Sequence, residues 1–171
     1  MKRKTKPCRH SWKVVTGQNA AYDIFPNQHQ IFYRGKGKRQ FWYDPVFQAK
    51  TLGGDLVWRR RHYRVRRGKT PGTFYFSVLD NGVISNEYWR IVDVSDTLSW
   101  AVLYYSGAAS AAGQAYTGAV FVTRDGKWPE PEGDSTERIK EAHLRCGIQM
   151  WELFVVDNYP CPDAPLDLIE D

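Results

Sequence analysis

The stretch TFYFSVLDNGVISNEYWRIVDV, residues 73–94, decides the fold class. Aromatic and β-branched residues fill both of its halves, as is typical of β-strands. Asp80-Asn81-Gly82 lies between the halves and is a strong signal for a tight hairpin turn. The sequence therefore predicts two antiparallel strands, at 72–79 and 83–94.

The segments on either side of this hairpin have the same composition. Further strands are predicted at 11–16, 28–34, 40–50, 55–66, 98–106 and 115–123. Turn residues occur at 52–55 and 124–127. Short antiparallel strands joined by short turns favour an up-and-down barrel of about eight strands over residues 10–124, because closure removes the exposed sheet edges.

One helix is predicted behind the barrel, over residues 135–146. Asp134 is suited to cap its start, and Gly147 is suited to end it. A short final strand over 150–156 and an acidic tail over 157–171 follow. A barrel, a helix and a short strand occur in this order in lipocalins. The sequence therefore predicts a mostly β, lipocalin-like single domain over 1–171.

Composition limits the classes of function. Seven Trp, ten Tyr and eight Phe exclude a disordered chain. No apolar run approaches the roughly 18 residues that span a bilayer, and no apolar secretory segment follows the basic residues 2–6. The net charge is +5. An interaction surface for an acidic protein or an anionic lipid, with nucleic acid disfavoured, is predicted at Arg59, Arg60, Arg64, Arg66, Arg67 and Lys69.

The chain has three cysteines, Cys8, Cys146 and Cys161. They form no CxxC pair and no cluster with histidine at zinc spacing, so no metal site is predicted. At most one internal disulfide is possible. The spacing is compatible with a bond from Cys161 to either Cys8 or Cys146.

Several longer strings carry a resemblance to a known family. They include YDIF (22–25), WYDPVF (42–47), PGTFYFSVLDNGV (71–83), NEYW (86–89), YYSG (104–107) and GAV (118–120). Over roughly 10–165 the chain resembles the barrel of violaxanthin de-epoxidase, and more closely the de-epoxidase-related proteins of plastids. The resemblance implies a chloroplast protein in the thylakoid lumen or on the thylakoid membrane surface.

The family enzyme opens a xanthophyll epoxide with ascorbate as reductant, and this chemistry needs an acid. Transferred by position, its two lumen aspartates fall on Pro26 and Glu87. With one acid missing, we expect a non-catalytic protein, without a bound cofactor. It would bind a carotenoid or lipid, or serve as a peripheral subunit of a photosynthetic membrane complex. The alternative is an active xanthophyll de-epoxidase that uses Glu87 as acid and ascorbate as co-substrate.

Strand alternation and the resemblance together predict the site. Alternation places Gln28, Gln30 and Phe32 on one strand face and Glu87 with Trp89 on another. The expected ligand-binding residues are Gln28, Gln30, Phe32, Tyr63, Trp89 and Tyr105, and the expected catalytic residues are Glu87 and Tyr105. The alternatives are plain barrel core for Phe32 and Trp89, a structural hydrogen bond for Tyr105, and a solvated face for the arginines. The family's disulfide partner of Cys161 is replaced by Asn27.

Overall fold

A ten-stranded antiparallel sheet forms the body of the protein. The computed structural model describes residues 11–35, 40–80, 82–109, 113–130, 135–160 and 162–165. The strands are β1 (Ser11–Gly17), β2 (His29–Arg34), β3 (Phe41–Lys50), β4 (Leu56–Arg60), β5 (Tyr63–Arg67), β6 (Thr73–Asp80), β7 (Val83–Val94), β8 (Trp100–Ala109), β9 (Gln114–Thr123) and β10 (Phe154–Val155). Helix α1 spans Ser135–Arg145, and a 3-10 turn spans Met150–Glu152.

The sheet closes on itself. Strands pair in the order β1-β2-β3-β5-β6-β7-β8-β9, and β9 then pairs with β1 from Val120–Gly17 to Thr123–Lys13. The β6–β7 hairpin predicted from residues 73–94 is present, paired from Thr73–Arg90 to Asp80–Val83. The predicted eight-stranded lipocalin-like barrel is therefore confirmed, with β4 and β5 sharing the place of one strand.

The single strand predicted over 55–66 is wrong, because the chain breaks at Arg61 and His62 between β4 and β5. Both strands pair with β3. The side chain of Asp44 is buried on the outer side of β3, where it accepts hydrogen bonds from Arg60 (Nε, 3.0 Å) and His62 (Nδ1, 2.7 Å). A buried carboxylate needs such partners, and drawing both side chains to one acceptor interrupts the regular strand.

The helix and the final strand follow the predicted order with shorter bounds. Helix α1 ends at Arg145, while Asp134, its predicted cap, lies outside the described residues. The strand predicted over 150–156 is mostly a 3-10 turn, and only Phe154 and Val155 pair, with Gly17 and Thr16. These two residues occupy the edge of β1 beyond the part that pairs with β2.

Apolar residues form two layers, inside and outside the barrel. Strand β8 shows why, because alternate side chains point to opposite faces. Its residues Leu103 and Tyr105 pack inside, whereas Trp100 and Val102 pack outside against the helix. The outer layer joins them to Val15, Phe121, Ile139 and Ala142. Arg138 of α1 adds hydrogen bonds to Asp93.

Antiparallel pairing also fixes which connections share an end of the barrel. The β1–β2, β3–β4, β6–β7 and β8–β9 connections lie together at what we call the mouth end. The β2–β3, β5–β6 and β7–β8 connections lie at the opposite end. No helix in the described ranges has the length and apolar character needed to cross a bilayer.

Cys146 is a free thiol, which excludes it as the partner of Cys161 in this structure. Cys8 and Cys161 lie outside the described residues. Close to Cys8 in the sequence, Ser11 contacts His29, with its Oγ 2.8 Å from the histidine Nδ1. A bond between Cys8 and Cys161 stays a prediction.

Candidate functional site

Two carboxylates meet inside the barrel near the mouth end. Asp23 comes from the β1–β2 connection, and Glu87 comes from β7. The Tyr105 hydroxyl donates to Asp23 Oδ2 at 2.7 Å. Glu87 accepts from the Tyr116 hydroxyl at 2.7 Å and from Trp89 Nε1 at 2.6 Å. We call these five residues the acid cluster.

The β1–β2 connection holds Asp23 in place through its own backbone. The amide of Asn19 donates to Asp23 Oδ2 at 2.8 Å, and the Asp23 amide donates to the Asn19 carbonyl at 2.8 Å. The chain passes Gly17 so closely that a Cβ there would lie 2.1 Å from Asp23 Cβ. Only glycine allows this approach, so Gly17 fixes how deeply the carboxylate reaches into the lumen.

Two more glycines make room for the tyrosines. A Cβ on Gly118 would lie 2.3 Å from the Tyr105 hydroxyl, and a Cβ on Gly107 would lie 2.2 Å from Tyr116 Cζ. Each tyrosine ring therefore occupies the space above a glycine on the neighbouring strand. Without this space, the hydroxyls would not reach the carboxylates at hydrogen-bond distance.

Burial sets the protonation of the acid cluster. Loss of hydration raises the pKa of Asp23 to about 6, despite the opposing hydrogen bond from Tyr105, and the charge of Glu87 raises it further. Burial also raises the pKa of Glu87, partly offset by hydrogen bonds from Trp89 and Tyr116. Burial likewise raises the pKa of Tyr105, which stays a hydrogen-bond donor. Asp23 is thus an acid that releases its proton near pH 6.

The predicted ligand-binding residues fall into three positions. Trp89 and Tyr105 lie in the acid cluster, with their ring centroids 5.2 Å apart. Deeper residues form an aromatic stack, in which the ring centroids of Phe32 and Tyr43 are 4.8 Å apart and those of Tyr63 and Phe76 are 5.5 Å apart. Gln30 accepts a hydrogen bond from the Tyr43 hydroxyl in this stack. Gln28 instead contacts the carbonyl of Tyr22 in the β1–β2 connection.

Asp23 is the site residue that the sequence analysis missed. Transfer by position assigned the second family aspartate to Pro26 and left one acid in the lumen. The structure corrects this expectation, because Asp23 lies only three residues earlier and is buried beside Tyr105. The available signal was an aspartate within the otherwise apolar string YDIF, which contributed to the resemblance but was not assigned a role.

The predicted basic surface divides between different environments. Arg60 is bound to Asp44, and Arg67 lies over the ring of Phe41 at 5.2 Å. Arg64 and Arg66 are exposed on the outer wall, where they pair with Trp42 of β3 and Tyr75 of β6. Arg59 and Lys69 are also exposed.

With this geometry established, comparison with known proteins identifies the family. The family model described as VDE lipocalin domain matches residues 3–158. The chain belongs to this family. Membership agrees with the resemblance to violaxanthin de-epoxidase that the sequence strings carry. No curated protein matches the chain.

Solved lipocalins share the fold of this VDE lipocalin domain protein at low sequence identity. Siderocalin Ex-FABP is 12% identical, with a TM-score of 0.60 over 86% of this chain and 92% of that chain. H1 crustacyanin from the lobster Homarus americanus is 12% identical, with a TM-score of 0.55 over 92% and 80%. A bovine odorant binding protein is 14% identical, with a TM-score of 0.54 over 85% and 90%. These similarities support the fold alone.

The acid cluster contains two carboxylates, Asp23 and Glu87. Across the ranges that the structure describes, no group of three or more His, Cys, Asp or Glu side chains is placed to hold a metal ion. The side chains of the cluster can themselves donate protons and hydrogen bonds.

The glycine beneath Tyr105 provides a first prediction. We expect Gly118→Ala to displace Tyr105 and to destabilise the fold by about 1–3 kcal/mol through overpacking. Urea denaturation would measure the loss. Gly53→Ala is the control, because a Cβ there meets no atom closer than 3.8 Å. Equal stability of the two variants would contradict the close approach.

The raised pKa of Asp23 provides a second prediction, for stability against pH. The pKa rises on folding from 3.8 to about 6, so from about pH 4 to about pH 6 the folded carboxyl retains a proton that the unfolded chain has lost. This contribution stabilises the fold at low pH and is lost as the pH rises through the folded pKa, by roughly 2–3 kcal/mol. The Asp23→Asn variant has no carboxyl at this position, so its free energy of unfolding does not include this pH-dependent loss.

The measurement is the difference in unfolding free energy between Asp23→Asn and wild type, which we expect to grow in favour of the variant between pH 4 and pH 7. Taking the difference removes the opposite effect of His29, whose pKa burial lowers to about 4. Asp96→Asn is the control, because the Asp96 side chain is 93% exposed. A difference that stays constant across this range would show that folding does not raise the pKa of Asp23.

Proposed function

We propose that this protein is a plastid lipocalin that binds a carotenoid or a similarly long lipid inside its barrel. The supporting observation is the lumen itself, where an aromatic stack leads to a polar cluster near the mouth end. Flat apolar rings suit a conjugated or acyl chain, and a few buried polar groups suit one oxygenated end of it. Family membership supports the choice of a carotenoid and of the thylakoid lumen or membrane surface.

We further propose that the protein acts beside a photosynthetic membrane, as a peripheral subunit or as a carrier. The exposed arginines of the outer wall support an acidic membrane protein or an anionic lipid as partner. Nucleic acid is disfavoured, since the nearby aromatic rings of Trp42 and Tyr75 lie within a barrel wall and not in a groove that could follow a strand.

The ligand proposal predicts a preference between two carotenoids. We expect one with hydroxylated rings to bind, and an unsubstituted hydrocarbon carotene to bind about tenfold more weakly, since a hydrogen bond to a buried group contributes about 1.4 kcal/mol. Quenching of tryptophan fluorescence would measure both affinities, since Trp89 lies in the acid cluster. Extraction of the purified protein with organic solvent would show whether a pigment is already bound.

Tyr105→Phe tests where the polar end lies. It should weaken binding of the hydroxylated carotenoid about tenfold and leave the hydrocarbon unchanged, because only one hydroxyl is removed. Tyr104→Phe is the matched control, on the same strand but with its side chain on the outer face. Failure of both carotenoids to bind would refute the proposal.

A second candidate function is de-epoxidation, and Asp23 is the observation that favours it. The expectation of a non-catalytic protein depended on a single lumen acid, and the structure places a second one beside Tyr105. In this reaction, an acid protonates the epoxide oxygen as its C–O bond breaks. Ascorbate supplies two electrons and two protons and becomes dehydroascorbate. Both C–O bonds break, a carbon–carbon double bond forms, and the oxygen leaves as water. An acid with a pKa near 6 is suited to the first step.

The second candidate predicts activity that appears below about pH 6. Incubation with violaxanthin and ascorbate, followed by chromatography of the pigments, would measure it. Asp23→Asn and Glu87→Gln should each reduce the rate by about 10²–10⁴-fold, whereas Asp96→Asn should not. No conversion by the wild-type protein at any pH between 4 and 7 would leave ligand binding as the function.

A further inference from the structure

Three arginines lie together on the outer wall of the barrel, towards the end opposite the mouth end. Arg64 and Arg66 flank Val65 on β5, and Val65 belongs to the inner core, so both arginines point outwards. Arg90 of β7 also points outwards, because its neighbour Trp89 belongs to the same core. All three arginine side chains are exposed. The wall formed by β5, β6 and β7 therefore has a basic outer face.

Tyrosine side chains fill the space between these arginines. Tyr75 of β6 pairs with Arg66 on one side and with Tyr88 on the other, and the centroids of the two tyrosine rings are 5.1 Å apart. Arg90 pairs with Tyr104 of β8. Neighbouring strands lie about 4.8 Å apart and alternate residues of a strand about 6.6 Å apart, so these five residues fit within about 16 Å. The arginine–tyrosine face, as we call this surface, consists of Arg64, Arg66, Tyr75, Tyr88, Arg90 and Tyr104.

The arginine–tyrosine face carries positive charge that no acid of the described residues matches. None of Arg64, Arg66 and Arg90 forms an ion pair within the part of the chain that the structure describes. Two acids of the outer wall, Asp44 and Asp93, are bound to other arginines. Like charges at this spacing repel one another, and a partner that brings negative charge converts this repulsion into attraction.

We propose that the arginine–tyrosine face binds an acidic polypeptide segment of a partner protein, with the carboxylates of the segment on the guanidinium groups and its chain against the tyrosine rings. All three cations of the face are arginines, whose planar groups bind carboxylates through paired hydrogen bonds. Arginine and tyrosine are also the residues enriched where proteins bind one another, whereas lysine is depleted there. This proposal rests on the proposed role beside a membrane, whose acidic partner it specifies, but not on ligand binding in the barrel.

An anionic bilayer fits this face less well than a polypeptide does. Guanidinium groups also bind phosphate, so the side chains around them decide. The face and the polar pair beside it, Ser77 and Asn86, contain no aliphatic side chain that enters the acyl region, as interfacial proteins require. The exposed aliphatic pair of this hairpin, Leu79 and Ile84, lies instead at the mouth end. The wall of a closed barrel is also convex, so a flat bilayer touches a narrow strip of it, whereas a flexible segment follows its curve.

The probe is a fluorescein-labelled dodecapeptide of alternating Glu and Ser, and fluorescence anisotropy measures its binding to the full chain. We expect wild-type protein to bind this peptide, and to bind it more weakly as salt rises. The same peptide with Gln in place of Glu should bind about tenfold more weakly or less, because it has no carboxylates. The double variants Arg66→Gln/Arg90→Gln and Tyr75→Thr/Tyr88→Thr should each lower the affinity for the Glu peptide about tenfold.

Two control variants match these changes. Lys50→Gln/Lys127→Gln removes the same amount of charge from two exposed positions away from the face. Trp151→Thr/Phe154→Thr removes two exposed aromatic rings near the end of the helix. Both should bind the Glu peptide within about twofold of wild type. Circular dichroism and melting temperature verify that each variant is folded, and the arginine variant tests the proposal independently of the tyrosine variant.

Each other outcome overturns the proposal. Wild-type protein that binds phosphatidylglycerol vesicles or oligothymidylate but not the Glu peptide has a lipid or nucleic-acid face instead. A loss in the lysine variant as large as that in the arginine variant shows that only the overall charge matters. Full affinity in the tyrosine variant shows that the chain of the segment does not contact the rings. Carotenoid titration of the same variants separates these failures from failure of ligand binding, because the altered side chains lie outside the lumen.

Discussion

Pairing between β1 and β9 is the interaction on which the rest of the structure depends. It converts a meander into a closed barrel, and only a closed barrel has an inside. A β-bulge between Val14 and Thr16 shifts the register along this seam. After the bulge, Gly17 faces the lumen opposite Val120, and the β1–β2 connection then carries Asp23 inward. Closure and the position of one carboxylate thus depend on the same short strand.

Burying two carboxylates in an aromatic lumen is costly unless their oxygens have donors. The protein supplies donors of a particular kind, two tyrosine hydroxyls and an indole N–H. These groups carry no formal charge, so they donate hydrogen bonds to the carboxylate oxygens without neutralising the negative charge. An arginine in the same position would favour the ionised form of the acids, as Arg138 does for Asp93 on the outside, where its hydrogen bonds lower the pKa of that carboxyl. The lumen acids remain able to hold protons, and the outer ones serve as structural anchors.

The sequence predicted the strands well because their signals are local. Hairpin residues and β-branched or aromatic runs placed all eight barrel strands near their observed bounds. It failed at Arg61 and His62, where a buried Asp44 distant in sequence breaks the strand. Glu87, Trp89 and Tyr105 were found by alternation and resemblance, since they lie on regular strands. Asp23 was missed because it lies in a connection, where no periodicity indicates which side chain points inward.

The three glycines of the lumen have a consequence for how this site can vary. Asp23 packs against Gly17, Tyr116 against Gly107 and Tyr105 against Gly118. A Cβ at any of these glycines would overlap the side chain that packs against it. The polar end of the lumen therefore depends on the absence of side chains at these three positions. Any larger residue at one of them would displace a hydroxyl or a carboxylate. Substitution of these glycines would disrupt the acid cluster even in a sequence that keeps all the residues of the cluster. Relatives that keep the acids but have lost these glycines should be read as having a different site.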